Sequence, residues 1–241
     1  LNYATRKQGG ESVKRLVSET MKTYGVEVNE DPNDAKNRIV DIDPDNIRYK
    51  EEVLSPIQET ISEVVGFAEG TGNDFNVLLG YSHDKEGSPV FGKKVSEMTI
   101  DEALDFSRPG GEYAQYSKKL MPSLAAQGKY ATPMGPYQIV GNTLKQTAKE
   151  MKLDGSTKFS PEVQKAMFAH LLKKAGYDEY IAGDMTSVEL VRNMGQTWDG
   201  LKNGRNATAA NKKLIEALSR FEQQQAALDP RDVSEGDTAR L

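Results

Sequence analysis

Hydrophobic positions recur every three to four residues along most of this chain, a spacing that predicts a mainly helical protein. From Ser55 to Asp74 the residues Ile57, Ile61, Val64, Val65 and Ala68 trace one face of a helix. Ser55 is a natural N-cap, Pro56 suits the first turn, and Glu59 lies near the positive end of the helix dipole. The pattern stops at Gly70-Thr71-Gly72. Upstream, Val13, Leu16, Val17, Thr20, Met21 and Tyr24 mark a helix that Gly25 ends. Downstream, Phe75, Val77, Leu79 and Tyr81 alternate with less apolar residues, which predicts a short, turn-rich β segment. Thr99-Ile100-Asp101-Glu102 is a capping box that opens the next helix. Tyr113, Tyr116, Leu120 and Leu124 keep helical spacing across an interruption at Pro122.

Four more helices are predicted toward the C-terminus. One is capped by Asn142 and carries Leu144, Ala148 and Met151, and another follows Ser160-Pro161-Glu162. A third starts at Thr186, with Leu190, Val191, Met194, Trp198 and Leu201 on one stripe. The last runs over 207–227 around Leu214, Ile215, Leu218 and Phe221. The chain therefore divides into a helical N-terminal appendage and linker (1–50), a main domain (51–228) and a polar, flexible tail (229–241). The expected fold class is α+β, mainly α, with a small β patch after the Ser55–Asp74 helix.

Composition narrows the chemistry. The absence of cysteine removes disulfides, thiol catalysis and thiolate metal sites. The two histidines, His83 and His170, form no local ligand motif, which argues against zinc hydrolases and weakly against a Ser–His triad. His83 is expected to be exposed in its loop, and His170 to be partly buried with a partner. Asp41, Asp43 and Asp45 alternate as in a calcium loop but lack its glycine and closing glutamate, so neither metal nor cofactor is expected. Net charge is −5, while residues 131–227 carry 13 basic and 10 acidic side chains. That excess is too small for a nucleic-acid binder. No apolar run has the length of a membrane span, and no signal-peptide pattern opens the chain. A start at Leu1 rather than Met is expected of a fragment or a processed product.

Glu69 is the residue whose position suggests chemistry. It closes its helix at the negative end of the dipole, beside Val65 and Phe67, and both surroundings disfavour the ionised form. A carboxyl kept protonated near neutral pH is what a general acid for glycoside cleavage requires. The plainer reading is a solvated last-turn glutamate. Asp74 and Asp84 are the nearby carboxylates that could assist, although both sit where turn-forming or solvated acids are common.

Five stretches in order carry a resemblance. They are Ala68-Glu69-Gly70-Thr71, Met98-Thr99-Ile100-Asp101-Glu102, Gly135-Pro136-Tyr137-Gln138-Ile139, Phe159-Ser160-Pro161-Glu162-Val163-Gln164 and Ala175-Gly176-Tyr177, with Trp198 after them. Together they resemble the phage lambda-type lysozymes, lytic transglycosylases of the lysozyme-like superfamily, over roughly residues 57–225. The resemblance implies a lysozyme-like fold with Glu69 as general acid and with Tyr137 and Gln138 on the floor of a glycan groove. Thr71, Tyr81 and Asp84 are the further candidate substrate contacts. Two departures are visible: Pro136 stands where members usually carry Arg, and Thr132-Pro133 where they carry Ala or Ser. Trp198 is expected to pack in the core. The implied partners are peptidoglycan glycan strands and other proteins of a phage tail or ejection apparatus. The implied location is the virion or the host periplasm and cell wall, after synthesis in the host cytoplasm. A lysozyme-type hydrolase using Asp84, and a non-catalytic wall-binding or virion module, are the alternatives.

Overall fold

The computed structural model describes residues 54–227. The expected appendage, the Asp41–Asp45 alternation and the tail lie outside them. Nine α-helices are described: α1 (Pro56–Glu69), α2 (Ile100–Ser107), α3 (Glu112–Leu120), α4 (Pro122–Ala125), α5 (Gly141–Glu150), α6 (Pro161–Lys174), α7 (Tyr177–Ile181), α8 (Ser187–Thr197) and α9 (Ala207–Ala227). The domain is mainly helical, as the hydrophobic spacing predicts. Among the described residues no helix is long and apolar enough to cross a membrane.

Local signals set most helix ends. Ser55 accepts from the Gln58 N–H while the Gln58 side chain answers the Ser55 N–H, a complete capping box at α1. Thr99 with Glu102 does the same for α2, and Thr186 with Glu189 for α8. Ser160 caps α6, with Pro161 in its first turn. The helix broken near Pro122 is two helices, α3 and α4, hinged at Met121. For α5 the N-cap is Val140 rather than Asn142, so that helix begins two residues earlier than its side chains suggest.

The core forms around α6. Most of its circumference is buried, through Gln164, Ala166, Met167, Phe168, Ala169, Leu171 and Leu172. The ring of Phe168 lies between Tyr137 and Trp198, with centroids 4.6 and 5.1 Å away. Helix α9 packs along α1 and α8, α2 packs on α3 and α5, and α5 leans on α6. His170, partly buried on α6, meets Glu150 of α5 at 2.7 Å, and Lys174 reaches the same carboxylate.

The β patch is smaller than expected. Among the described residues it consists of isolated antiparallel bridges, Leu78 with Met134, Met134 with Ile139, and Thr99 with Lys158. The alternation from Phe75 to Tyr81 does not become a strand, because side chains take its backbone donors. The Leu78 N–H goes to Nδ1 of His83 at 3.2 Å, and the Leu79 N–H to the Tyr113 hydroxyl at 2.7 Å. Gly80 and Tyr81 then turn into the left-handed region (φ 62° and 57°), which ends any extended run. Acting as an acceptor in this turn, His83 is buried at 5% exposure, not exposed as its loop position suggested.

Candidate functional site

The site grows from the end of α1. Gly70 takes the left-handed conformation (φ 69°) that closes the helix, and its N–H returns to the carbonyls of Gly66 and Phe67. Thr71 then drops inward. Its hydroxyl lies 3.0 Å from the Gly66 carbonyl and 3.1 Å from that of Pro136, tying the end of α1 to the segment that faces it. That segment is a tight hairpin in which Met134 and Ile139 exchange both backbone hydrogen bonds around Gly135-Pro136-Tyr137-Gln138. Gly135 starts the loop at φ 67°, and Gln138 closes it at φ 50°. A non-glycine residue held at positive φ is strained by about 1–3 kcal/mol and persists only where its surroundings enforce it. Here the Gln138 amide donates back to the Gly135 carbonyl at 3.0 Å.

Between the two lies a pocket of about 310 Å³, toward the lower end of ligand-binding cavities. Glu69, Tyr137, Gln138, Trp198 and Asp199 are among its lining residues, and no Lys, Arg or His is. Such a wall offers no counter-charge to a phosphate or carboxylate. It suits a neutral, hydrogen-bonding ligand with an apolar face.

The Glu69 carboxyl is half-buried and directed at the turn after α8, where the Gly200 N–H donates to Oε1 at 2.8 Å. Burial raises its pKa above the ordinary 4.5, and the neighbouring negative charge of Asp199 adds to the rise. The Gly200 hydrogen bond opposes both. Because Oε1 accepts that N–H, the proton of the neutral acid belongs on Oε2. Gly200 has no room for a side chain: a Cβ there would lie 2.7 Å from backbone atoms of Ala68 and 2.8 Å from Cδ of Glu69. Gly200→Ala should therefore displace the end of α1, cost about 1–3 kcal/mol in thermal or denaturant unfolding, and disturb the Glu69 carboxyl seat.

The other residues singled out in the sequence occupy varied places. Tyr137 lines the pocket but is 4% exposed, its ring packed edge-on to Phe75 and tilted against Phe168. Burial pushes its hydroxyl up to about 12, so it is a neutral hydrogen-bonding group. Trp198 packs in the core at 2% exposure and also forms pocket wall. Thr71 is 3% exposed and does not line the pocket. Tyr81 is half-exposed, and its hydroxyl donates to the Gly70 carbonyl at the rim of α1.

Asp84 is well exposed and lies 3.3 Å from Nε2 of His83, which also meets Asp74 at 2.9 Å. Neither aspartate lines the pocket. These three side chains are grouped closely enough to hold a cation. However, Nδ1 of His83 accepts the Leu78 N–H, so Nε2 carries the ring proton and donates to Asp74. A metal at Nε2 would need the opposite tautomer and would cost the Leu78 bond. The cluster is better explained as a turn-stabilising network.

The carboxylate that does accompany Glu69 is Asp199. Sequence reasoning missed it because the apolar stripe of α8 carries on through Trp198 and Leu201. The helix in fact ends at Thr197, and the 199–201 segment is a 3₁₀ turn. The Asp-Gly step at 199–200 is the signal that could have revealed it. No protein-family model matches the chain, and no curated protein or solved structure matches it significantly.

Proposed function

We propose that this protein is a peptidoglycan-cleaving lytic transglycosylase with a lysozyme-like catalytic domain, and that Glu69 serves first as acid and then as base. The observation that carries this reading is the half-buried Glu69 carboxyl, its pKa raised, on the wall of a pocket without cations and facing Gln138 and Tyr137. Protonated Oε2 would give its proton to the glycosidic oxygen between N-acetylmuramic acid and N-acetylglucosamine. The resulting carboxylate would accept the proton of the muramoyl C6 hydroxyl as that oxygen closes on C1. The product is a 1,6-anhydro ring. Because the nucleophile is tethered to the sugar under attack, its effective concentration far exceeds that of a free alcohol. The wall-penetrating part of a phage virion, or a free endolysin, is the setting that the sequence resemblance suggests.

A second reading, a lysozyme-type hydrolase, draws support from one feature. Asp199 brings a second carboxylate to the pocket, and hydrolytic glycosidases commonly use a pair. Mass spectrometry of muropeptides released from purified sacculi separates the two. Anhydromuramic ends are expected; reducing muramic ends would replace the transglycosylase reading with the hydrolase. Absence of any released glycan would leave only the non-catalytic wall-binding module.

A further inference from the structure

The turn after α8 bears on Glu69 in two ways that no sequence motif announced. Its backbone supplies the Gly200 N–H to Oε1 at 2.8 Å, in a space too tight for any residue but glycine. Its side chain at 199 lines the same pocket as Glu69. That aspartate is held in place: Asn203 Nδ2 donates to its Oδ1 at 2.6 Å, and the Lys202 and Asn203 amides both return to its carbonyl. Asp199 therefore does not swing freely, although it is exposed to solvent. We infer that the Trp198–Gly200 turn is the seat of the acid, with the Gly200 amide fixing one carboxyl oxygen and Asp199 acting as a positioning residue that holds the proton on the other.

The remaining groups around Glu69 leave Asp199 as its dominant charged neighbour. Among the lining residues only Glu69, Tyr137 and Asp199 titrate. From the hairpin comes Tyr137, a neutral phenol. Helix α6 contributes the apolar Leu171, and α8 contributes Thr197. On α9, packed along α1, the Lys213 ammonium sits 4.0 Å over the Phe67 ring. Lys202, beside Asp199, is exposed and lies outside the pocket lining. Burial does most to raise the Glu69 pKa, the Gly200 hydrogen bond opposes it, and Asp199 adds a near negative charge whose field also opposes ionisation.

Only the catalytic consequence rests on the proposed glycan chemistry; the coupling between the two carboxyls does not. The test is a carbon-13 NMR titration of the glutamate side-chain carboxyls, with Glu69→Gln assigning the signal, in the otherwise native chain and in Asp199→Asn and Asp199→Glu. The Glu69 midpoint is expected to fall in Asp199→Asn and to stay at the native position in Asp199→Glu. A midpoint unmoved in Asp199→Asn overturns the inference. A midpoint that falls equally in both variants also overturns it, because a general disturbance of the turn would then be the cause. In parallel, the alkaline limb of the pH profile of sacculus solubilisation should shift to lower pH in Asp199→Asn by the same interval. If the midpoint moves while the unsubstituted protein releases no glycan, the coupling stands and the transglycosylase reading falls. If glycan is released and the midpoint stays, the inference alone falls.

Discussion

Glu69→Gln is expected to abolish clearing of peptidoglycan in a zymogram while leaving the fold intact. A positioned general acid contributes roughly 10²–10⁴ in rate, and here the same group would also serve as base, so a loss near the upper end is expected. The amide keeps the shape of the side chain, and its oxygen can still accept the Gly200 N–H now bound to Oε1. A null result caused by unfolding is therefore not expected, and circular dichroism checks this. Equal clearing by both proteins would remove Glu69 from the mechanism.

The same substitution has an opposite effect on stability. Burial raises the Glu69 pKa in the folded state above the ordinary 4.5. Below that value the side chain is protonated both folded and unfolded, and native protein and variant should unfold alike. As pH rises through the ordinary value the unfolded chain ionises first, and the folded state loses relative stability until the raised folded pKa is passed. Gln cannot ionise, so Glu69→Gln should be the more stable protein near neutral pH, with the advantage vanishing under acid conditions. Urea melts at pH 4 and pH 7.5 measure this directly. A variant less stable at both would contradict the burial penalty.

Phe168→Ala should be the most damaging substitution in the described core. The ring is fully buried between Tyr137 and Trp198, which both line the pocket. Removing a buried phenylalanine costs about 3–5 kcal/mol through lost transfer energy and an unfilled cavity. For a domain of this size that corresponds to a fall in Tm of roughly 10 °C. Because Tyr137 and Trp198 would both lose their packing partner, the pocket floor should loosen and any activity should fall beyond the fraction unfolded. Phe168→Leu, which retains much of the volume, should recover most of both. A Tm shift under about 3 °C for the alanine variant would mean that the aromatic stack is not the support it appears in the contacts.

What could be read from residues alone was largely local. Ser55, Thr99, Ser160 and Thr186 announced helix starts because a cap is a contact between neighbours three residues apart. Glu69 drew attention because the helix stop beside it is written in Gly70 and Gly72. The alternation at 75–81 misled, since a period of two says nothing about donors claimed by Tyr113 and His83 from elsewhere in the fold. His83 looked exposed for the same reason: its acceptor role exists only once Leu78 turns back on it.

By itself, then, the order of residues determined a mainly helical domain over the described residues, the ends of most of its helices, and the place of Glu69 at the close of one of them. Tertiary structure decided what surrounds that glutamate. It brought the Gly200 amide and the Asp199 carboxylate to Glu69 from about 130 residues away. It also buried Thr71, just after the same helix end, against the Pro136 carbonyl. The reason is physical: caps and periodicity act over a few residues, whereas desolvation and charge coupling depend on distances that only the folded chain defines.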